Sequence, residues 1–333
     1  MKIGFFEVKN WEKGFLKKRM KNVSVEFYPF ALEESSLKVA KNFDIVSVFI
    51  YSRINKKVIS SLPSLKLIAT RSTGFDHIDL KEAKKRKILV CNVPFYGENT
   101  VAEHTFALIL SLSRNVHKSY LRTIRGDFSI EGLKGFDLKN KVLGVIGAGH
   151  IGLHVIRIAK GFGMEVLAFD THQDKFLAEV LGFKYVSLDN LLRNSHIITL
   201  HVPYNKSTHH LINRENINLI KKGAILINTS RGGVVDSEAL IEALDKKILS
   251  GVGLDVLEGE ELIKEEKQLL YDKGKLEVLA NLVKGHILLS RDNVVFTPHI
   301  GFYSQEALER ILETTISNIF RFLEGRPQNV VNE

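Results

Sequence analysis

The sequence predicts an α/β protein of two doubly wound parallel-sheet domains with a cleft between them. Three observations carry that expectation. Short apolar runs of β type alternate with charged, helix-period segments, the pattern of parallel strands covered by helices on both faces. The alternation comes in two series, parted by a helical stretch that is apolar nearly all round. The length of 333 residues, 44% hydrophobic and 26% charged, suits two domains that each bury a core of their own.

In the first series, residues 2–6, 24–28, 45–49, 67–70 and 89–92 read as strands, with helices such as 33–42 and 80–87 between them. From Thr100 to Asn115, the residues Val101, Ala102, Phe106, Ala107, Leu108, Leu110 and Leu112 surround the helix axis, which predicts burial between domains or subunits. After glycines at 126, 132 and 135 the second series begins at Lys141. Its strands are expected at 142–146, 165–169, 197–201, 224–228, 251–256 and 293–297, with a helix at 237–246 among those between. The last stretch, 304–323, places Ala307, Ile311, Ile316, Ile319 and Phe320 at amphipathic-helix spacing. No strand follows it, so it is expected to cross back onto the first domain. The domains then comprise residues 1–99 with 300–333, and residues 100–299.

The second series opens with a strand, the turn Gly147-Ala148-Gly149-His150-Ile151-Gly152, and a helix, in the order a dinucleotide site requires. Gly147 permits the tight turn, Gly149 lets the backbone approach a pyrophosphate, and Gly152 lets the helix lie close to the sheet. The helix N-terminus adds N–H groups and partial positive charge. The next strand ends at Asp170, near the expected distance of about 20 residues. A carboxylate there accepts from both ribose hydroxyls and repels a 2′-phosphate, so NAD is expected rather than NADP. This half reads as a Rossmann domain.

Three further groups fall near strand ends of the same series, where open α/β sheets bind ligands. Arg231 follows the run Ile227-Asn228-Thr229-Ser230, beside glycines that would let a ligand approach; an arginine can grip a carboxylate by two parallel hydrogen bonds. Glu260 follows the strand at 251–256, and His299 follows Thr297-Pro298. Hydride delivery to a ketone leaves negative charge on oxygen, and histidine, titrating near about 6.5, suits proton donation. A neighbouring carboxylate favours the imidazolium and orients the ring.

Composition narrows the alternatives. The single cysteine, Cys91, excludes an internal disulfide and, after the apolar Ile88-Leu89-Val90, reads as a buried structural thiol. The net charge of +9 is scattered in short lysine groups, which reads as a solvated surface with mild attraction for anions, not a nucleic-acid footprint. There is no secretory signal and no run of about 18 apolar residues, so no membrane contact and a cytoplasmic location are expected. The 12 histidines offer no H-x-x-x-H pair with a third ligand, so no metal is expected. No G-x-S-x-G elbow is present.

The chain resembles the D-isomer-specific 2-hydroxyacid dehydrogenases over essentially its whole length. The resemblance rests on RSTGFDHID at 71–79, VAEH at 101–104, the fingerprint at 147–152, HVP at 201–203, the run 228–236, GLDV at 253–256 and TPH at 297–299. It implies a flavodoxin-like substrate domain beside the NAD domain, and a homodimer formed through the helix that begins near Val101. It implies that Arg231 binds the substrate carboxylate and polarises the carbonyl, that His299 is the acid/base with Glu260 as its partner, and that Ser72, Thr73 and Gly74 offer backbone N–H groups to the carboxylate. For NAD it implies His150 and Ile151 at the pyrophosphate, Asp170 at the ribose, and His201, Val202 and Pro203 along the adenosine. Thr229, Ser230 and Arg231 fall near the nicotinamide, with Asp255 holding its amide. Within the family the lactate branch matches best. Tyr96 resembles an aromatic residue near the substrate methyl group, HIGFY at 299–303 looks like that branch, and the segment 261–292 is long, as there. Gly301 departs from the more usual alanine. The expected reaction is reduction of pyruvate to D-lactate by NADH. Hydroxypyruvate or glyoxylate reductases and phosphoglycerate dehydrogenases share the machinery, but bulky Tyr96, Phe302 and Tyr303 favour a small substrate. An NAD-sensing binding protein on the same fold would keep the glycine turn without needing Arg231, Glu260 and His299 together.

Overall fold

The computed structural model describes residues 1–21, 23–259, 283 and 285–332. The chain divides into two units, Met1–Tyr96 with Ser304–Glu333, and Gly97–Tyr303.

In the first unit the strands β1 (Lys2–Phe5), β2 (Ser24–Phe27), β3 (Ile45–Val48), β4 (Leu67–Thr70) and β5 (Leu89–Cys91) stand in the order β2-β1-β3-β4-β5, every pair parallel. The order reverses between β1 and β3, as in flavodoxin-like sheets. β3 and β4 are buried at every position, which is why they read as mostly apolar runs without polar alternation. The unit's helices are α1 (Asn10–Arg19), α2 (Leu37–Ala40), α3 (Lys56–Ser60) and α4 (Leu80–Lys85). The helix expected at 33–42 is reduced to a 3-10 turn, Glu34–Ser36, and the single turn of α2. There the Ser36 hydroxyl accepts the Glu33 N–H at 2.9 Å, a capping-box bond that starts the 3-10 turn.

The second unit opens with α5 (Glu98–Ser113) and α6 (Val116–Thr123), then runs β6 (Val142–Ile146), α7 (His150–Gly161), β7 (Glu165–Phe169), α8 (Lys175–Leu181), β8 (Lys184–Tyr185) and α9 (Leu188–Asn194). It continues through β9 (Ile197–Leu200), β10 (Ala224–Asn228), α10 (Ser237–Asp245), β11 (Leu249–Leu254) and β12 (Val294–Phe296). The sheet order is β12-β11-β10-β9-β6-β7-β8, all parallel, with its reversal between β6 and β9. β8, only two residues long, carries too little pattern to be seen in the sequence.

β11 starts and ends two residues before the strand expected at 251–256. Gly251 and Gly253 weaken a strand reading, yet both lie inside β11 because α5 packs on them. A Cβ at Gly253 would stand 3.1 Å from the Leu108 Cβ, and one at Gly251 would stand 3.1 Å from a Leu112 methyl. α5 is thus part of the second unit's core, where Ala102, Phe106, Leu108, Ile109 and Leu112 join Val155 and Ile156 of α7. Ending β11 at Leu254 leaves Asp255 just beyond the strand.

The last helix, α11 (Gln305–Leu323), belongs to the first unit. Its Leu312, Ile316 and Ile319 pack with Ile3, Phe5, Ile45, Leu67, Ala69 and the buried Cys91. No helix among the described residues is long and apolar enough to cross a membrane.

Candidate active site

β10, β11 and β12 are neighbours and parallel, so their C-terminal ends leave the sheet side by side, about 4.8 Å apart. Asn228, Leu254 and Phe296 stand in one register row across them. Arg231 and His299 each lie three residues past that row, on strands two spacings apart. Glu260, the third group expected there, lies outside the described residues, as does the segment 261–282.

The turn carrying Arg231 is built by Asn228. Its Nδ2 donates to the Arg231 carbonyl at 2.9 Å, and its Oδ1 accepts from the Ser230 N–H at 3.0 Å and hydroxyl at 2.8 Å. The guanidinium is exposed, with Nη1 donating to the Ser230 carbonyl at 2.8 Å. The glycines after it do not leave room for a ligand, as the sequence suggested. A Cβ on Gly232 would fall 2.2 Å from the Leu257 carbonyl carbon, and one on Gly233 would fall 2.7 Å from the Tyr204 ring. They allow two loops of the protein to touch. Thr229 is buried, its hydroxyl 3.1 Å from that of Thr105 on α5.

His299 adopts a left-handed conformation, φ +56°, uncommon for a residue with a side chain. The hydrogen bonds that hold it converge on Asp255. The His299 N–H donates to the Asp255 carbonyl at 2.9 Å, Ile300 N–H to Oδ1 at 2.9 Å, and Gly301 N–H to Oδ2 at 2.8 Å. The Thr297 hydroxyl donates to Oδ1 at 2.6 Å, and His104 Nε2 lies 3.3 Å from the same oxygen. Burial alone would raise the Asp255 pKa, but the bonds from His104, Thr297 and the two loop N–H groups outweigh it and hold the carboxyl below its ordinary range. Oδ1 is fully engaged, whereas Oδ2 takes one loop donor. The His299 ring meets the Phe302 ring edge-on, centroids 6.3 Å apart.

At the glycine turn, Gly147 has φ +95°, and a Cβ there would meet the His201 carbonyl at 2.8 Å. A Cβ on Gly152 would lie 2.0 Å from the Gly147 carbonyl oxygen, so α7 can approach the turn only without it. Gly149 has open space on its Cβ side and caps α7 without a side-chain bond. His150 follows exposed and Ile151 half-buried. Asp170 is tied to this turn: Oδ2 accepts from the Ala148 N–H at 2.7 Å and Oδ1 from the His172 N–H at 2.9 Å. Each oxygen keeps a lone pair for a further donor. His201 Nε2 lies 3.1 Å from the Thr199 hydroxyl, while Nδ1 is buried without a partner among the described residues. Val202 is half-buried beside Gly147, and Pro203 is exposed. A cradle free of side chains, a helix N-terminus, an anchored carboxylate and an orphaned ring nitrogen fit a dinucleotide.

In the first unit, Ser72, Thr73 and Gly74 form the loop after β4. The Ser72 hydroxyl donates to the Gly74 carbonyl at 2.6 Å, the Thr73 hydroxyl to Val93 O at 2.8 Å, and Asn92 Nδ2 to the Thr73 carbonyl at 2.8 Å. Beneath it Arg71 is wholly buried, its guanidinium donating to Ser47 Oγ and to the carbonyls of Phe6 and Glu7. Tyr96 is half-buried, its carbonyl accepting from Arg310 Nε at 2.7 Å.

Sequence reasoning gave no role to Asn228, Thr297, His104 or Arg71. All four stand in motifs it singled out; what His104, Thr297 and Arg71 hold depends on contacts distant in sequence. Among the described residues no group of three potential metal ligands occurs.

A parallel sheet with this glycine turn, and an arginine and a histidine at the ends of the strands flanking β11, defines an NAD-dependent oxidoreductase. A family model, the NAD binding domain of D-isomer specific 2-hydroxyacid dehydrogenases, matches residues 106–301. A D-lactate dehydrogenase of Escherichia coli is 37% identical over 98% of this chain and 98% of its own. A glyoxylate reductase of Thermococcus litoralis is 35% identical over 89% of this chain and 86% of its own. The solved D-lactate dehydrogenase of Aquifex aeolicus, complexed with NAD and lactic acid, is 39% identical, with a TM-score of 0.87 over 99% of both chains. The chain belongs to the D-isomer specific 2-hydroxyacid dehydrogenase family.

Burial pushes the His201 imidazole down to about 3 from the ordinary 6.5, so the folded protein keeps it neutral while an unfolded chain protonates. Its contribution to stability is complete above pH 6.5 and declines as pH falls toward 3. Melting temperatures of His201→Asn and the parent, measured across that window, should converge toward low pH; parallel curves would contradict this.

Proposed function

We propose that the enzyme reduces pyruvate to D-lactate with NADH, as a cytoplasmic homodimer. The observation that carries this reading is the pairing of Arg231 with a His299 whose loop is fixed by Asp255, in a chain matched end to end by D-lactate dehydrogenases.

Arg231, exposed and held by its turn, grips the substrate carboxylate with two parallel hydrogen bonds and polarises the neighbouring carbonyl. Ser72, Thr73 and Gly74 direct backbone N–H groups at the same carboxylate. NADH, when bound, supplies the hydride to the carbonyl carbon. The carbonyl electron pair moves onto oxygen, and the His299 imidazolium gives it a proton. Glu260 is assigned as the partner that favours the charged imidazole. Asp170 accepts from the ribose hydroxyls; Gly147, Gly149, His150, Ile151 and Gly152 receive the pyrophosphate; His201, Val202 and Pro203 flank the adenosine. Thr229 and Ser230 border the nicotinamide, and the remaining lone pair of Asp255 Oδ2 accepts from its amide. Tyr96 and Phe302 keep the substrate small.

The homodimer is supported by an apolar surface directly after α5. Val116, Tyr120, Leu121 and Ile124 are exposed, and Phe128 and Ile130 are exposed to 78% and 87%. Sedimentation should therefore give twice the chain mass of 37.6 kDa; a single-chain mass would remove this element.

Following NADH absorbance with pyruvate, glyoxylate, hydroxypyruvate, oxaloacetate and phenylpyruvate, then determining product chirality, tests the substrate. Fast conversion of pyruvate to the D-acid is expected, and preference for glyoxylate would move the enzyme to the second activity found among its relatives. His299→Gln should lower kcat by about 10²–10⁴, the usual contribution of a general acid, and a loss of only a few-fold would contradict its role. Asp170→Ala should narrow the preference for NADH over NADPH; an unchanged ratio of kcat/KM values would count against the ribose contact.

A further inference from the structure

We propose that His104 is a positioning residue for proton transfer, fixing the His299 loop through the Thr297 hydroxyl and the Asp255 carboxylate. The inference rests on the reading of His299 as the acid.

The hydrogen positions follow by elimination. The Asp255 carboxylate can only accept, so the Thr297 hydroxyl, 2.6 Å from Oδ1, is the donor of that bond. The Thr297 oxygen is then an acceptor toward His104 Nε2, which lies 2.9 Å away and carries the proton. The chain of bonds runs from His104 to Thr297 to Asp255, and from there into the backbone of Ile300 and Gly301. His104 comes from α5, 193 residues from Thr297 in sequence, so it joins the loop to an element that is otherwise core. Its side chain is 17% exposed and that of Asp255 is 3% exposed, so little water is at hand to replace either partner.

The packing has no slack. A Cβ on Gly301 would stand 2.8 Å from Asp255 Oδ2 and 3.3 Å from His104 Cδ2. The imidazole of His104 and the carboxylate together fill the space under the loop, and the glycine lets them do so. A left-handed backbone at His299 persists only while its surroundings over-determine it. Removing His104 opens the side of Thr297 and Asp255 that faces α5. The loop can then relax and carry the acid away from the oxygen it protonates.

The test compares His104→Leu, His104→Gln, Thr297→Val and the Leu/Val double variant, with kcat, the NADH dissociation constant by fluorescence, and a melting curve for each. His104→Leu and Thr297→Val should each lose roughly tenfold or more in kcat, the scale of a misplaced reacting group, with a smaller change in NADH affinity because Asp255 also borders the nicotinamide. The double variant should be no worse than the poorer single, as for residues acting through one chain of bonds. His104→Gln, which keeps a donor at the same reach, should recover most of the rate. Wild-type kcat in His104→Leu, or losses that multiply in the double variant, would overturn the proposal. Thr297→Val leaves α5 intact and carries the comparison alone should His104→Leu fail to fold. His299→Gln, assayed in parallel, separates the two readings: wild-type kcat there removes the acid itself, whereas a large loss there with none in His104→Leu removes only the positioning role.

Discussion

Asp255 supplies one backbone carbonyl and two carboxylate oxygens to three consecutive N–H groups, those of His299, Ile300 and Gly301. The N–H groups of Ile300 and Gly301 converge on the carboxylate as in a nest, and here the anion is the protein's own. Without it the left-handed turn at His299 would be uphill and the N–H groups of Ile300 and Gly301 would lose these acceptors. The position of Asp255 just past β11 is therefore decisive. It depends on the strand ending at Leu254, and so on the register that sets Leu254 beside Asn228 and Phe296.

Close backbone approach is the second constraint, and it is repeated. α5 lies on Gly251 and Gly253, α7 closes on Gly147 through Gly152, and the Arg231 turn touches the Leu257–Glu258 peptide through Gly232. Each contact brings an element nearer to the strand ends than a side chain would permit. The result is a site whose reactive side chains stand on backbone held against backbone, with few rotatable bonds between them and the sheet.

This explains what the sequence disclosed and what it withheld. β3, β4 and β10 were legible because burial on both faces leaves them mostly apolar, with one polar residue in each, Ser47, Thr70 and Asn228. The glycine turn was legible because strand, turn and helix are contiguous, so its geometry is written within a dozen residues. The purpose of Gly232 and Gly233 was not, because it depends on Leu257 and Tyr204, distant in sequence. The same holds for the partners of Asp255. Sequence reasoning could give it a place near the cofactor, yet the four bonds to its carboxylate and the one to its carbonyl come from residues 104 and 297–301.

The two sheets also differ in how they treat the crevice at the point of strand-order reversal, where doubly wound folds usually take ligands. In the second unit that crevice, between β6 and β9, is edged by Gly147 and Gly149, with open space on the Cβ side of Gly149. In the first unit the corresponding place, between β1 and β3, is filled by Glu7. Its carboxylate accepts from the N–H groups of Phe49 and Tyr51 and from the Ser52 hydroxyl, with the buried Arg71 guanidinium on its main-chain carbonyl. An anion that would otherwise come from solution is built into the chain there. The ends of β4 and β5 remain, and they carry the Ser72–Gly74 loop and Tyr96. One fold logic thus serves two purposes: an open switch point makes a binding crevice, and a filled one makes a rigid platform whose neighbouring strands present the loop.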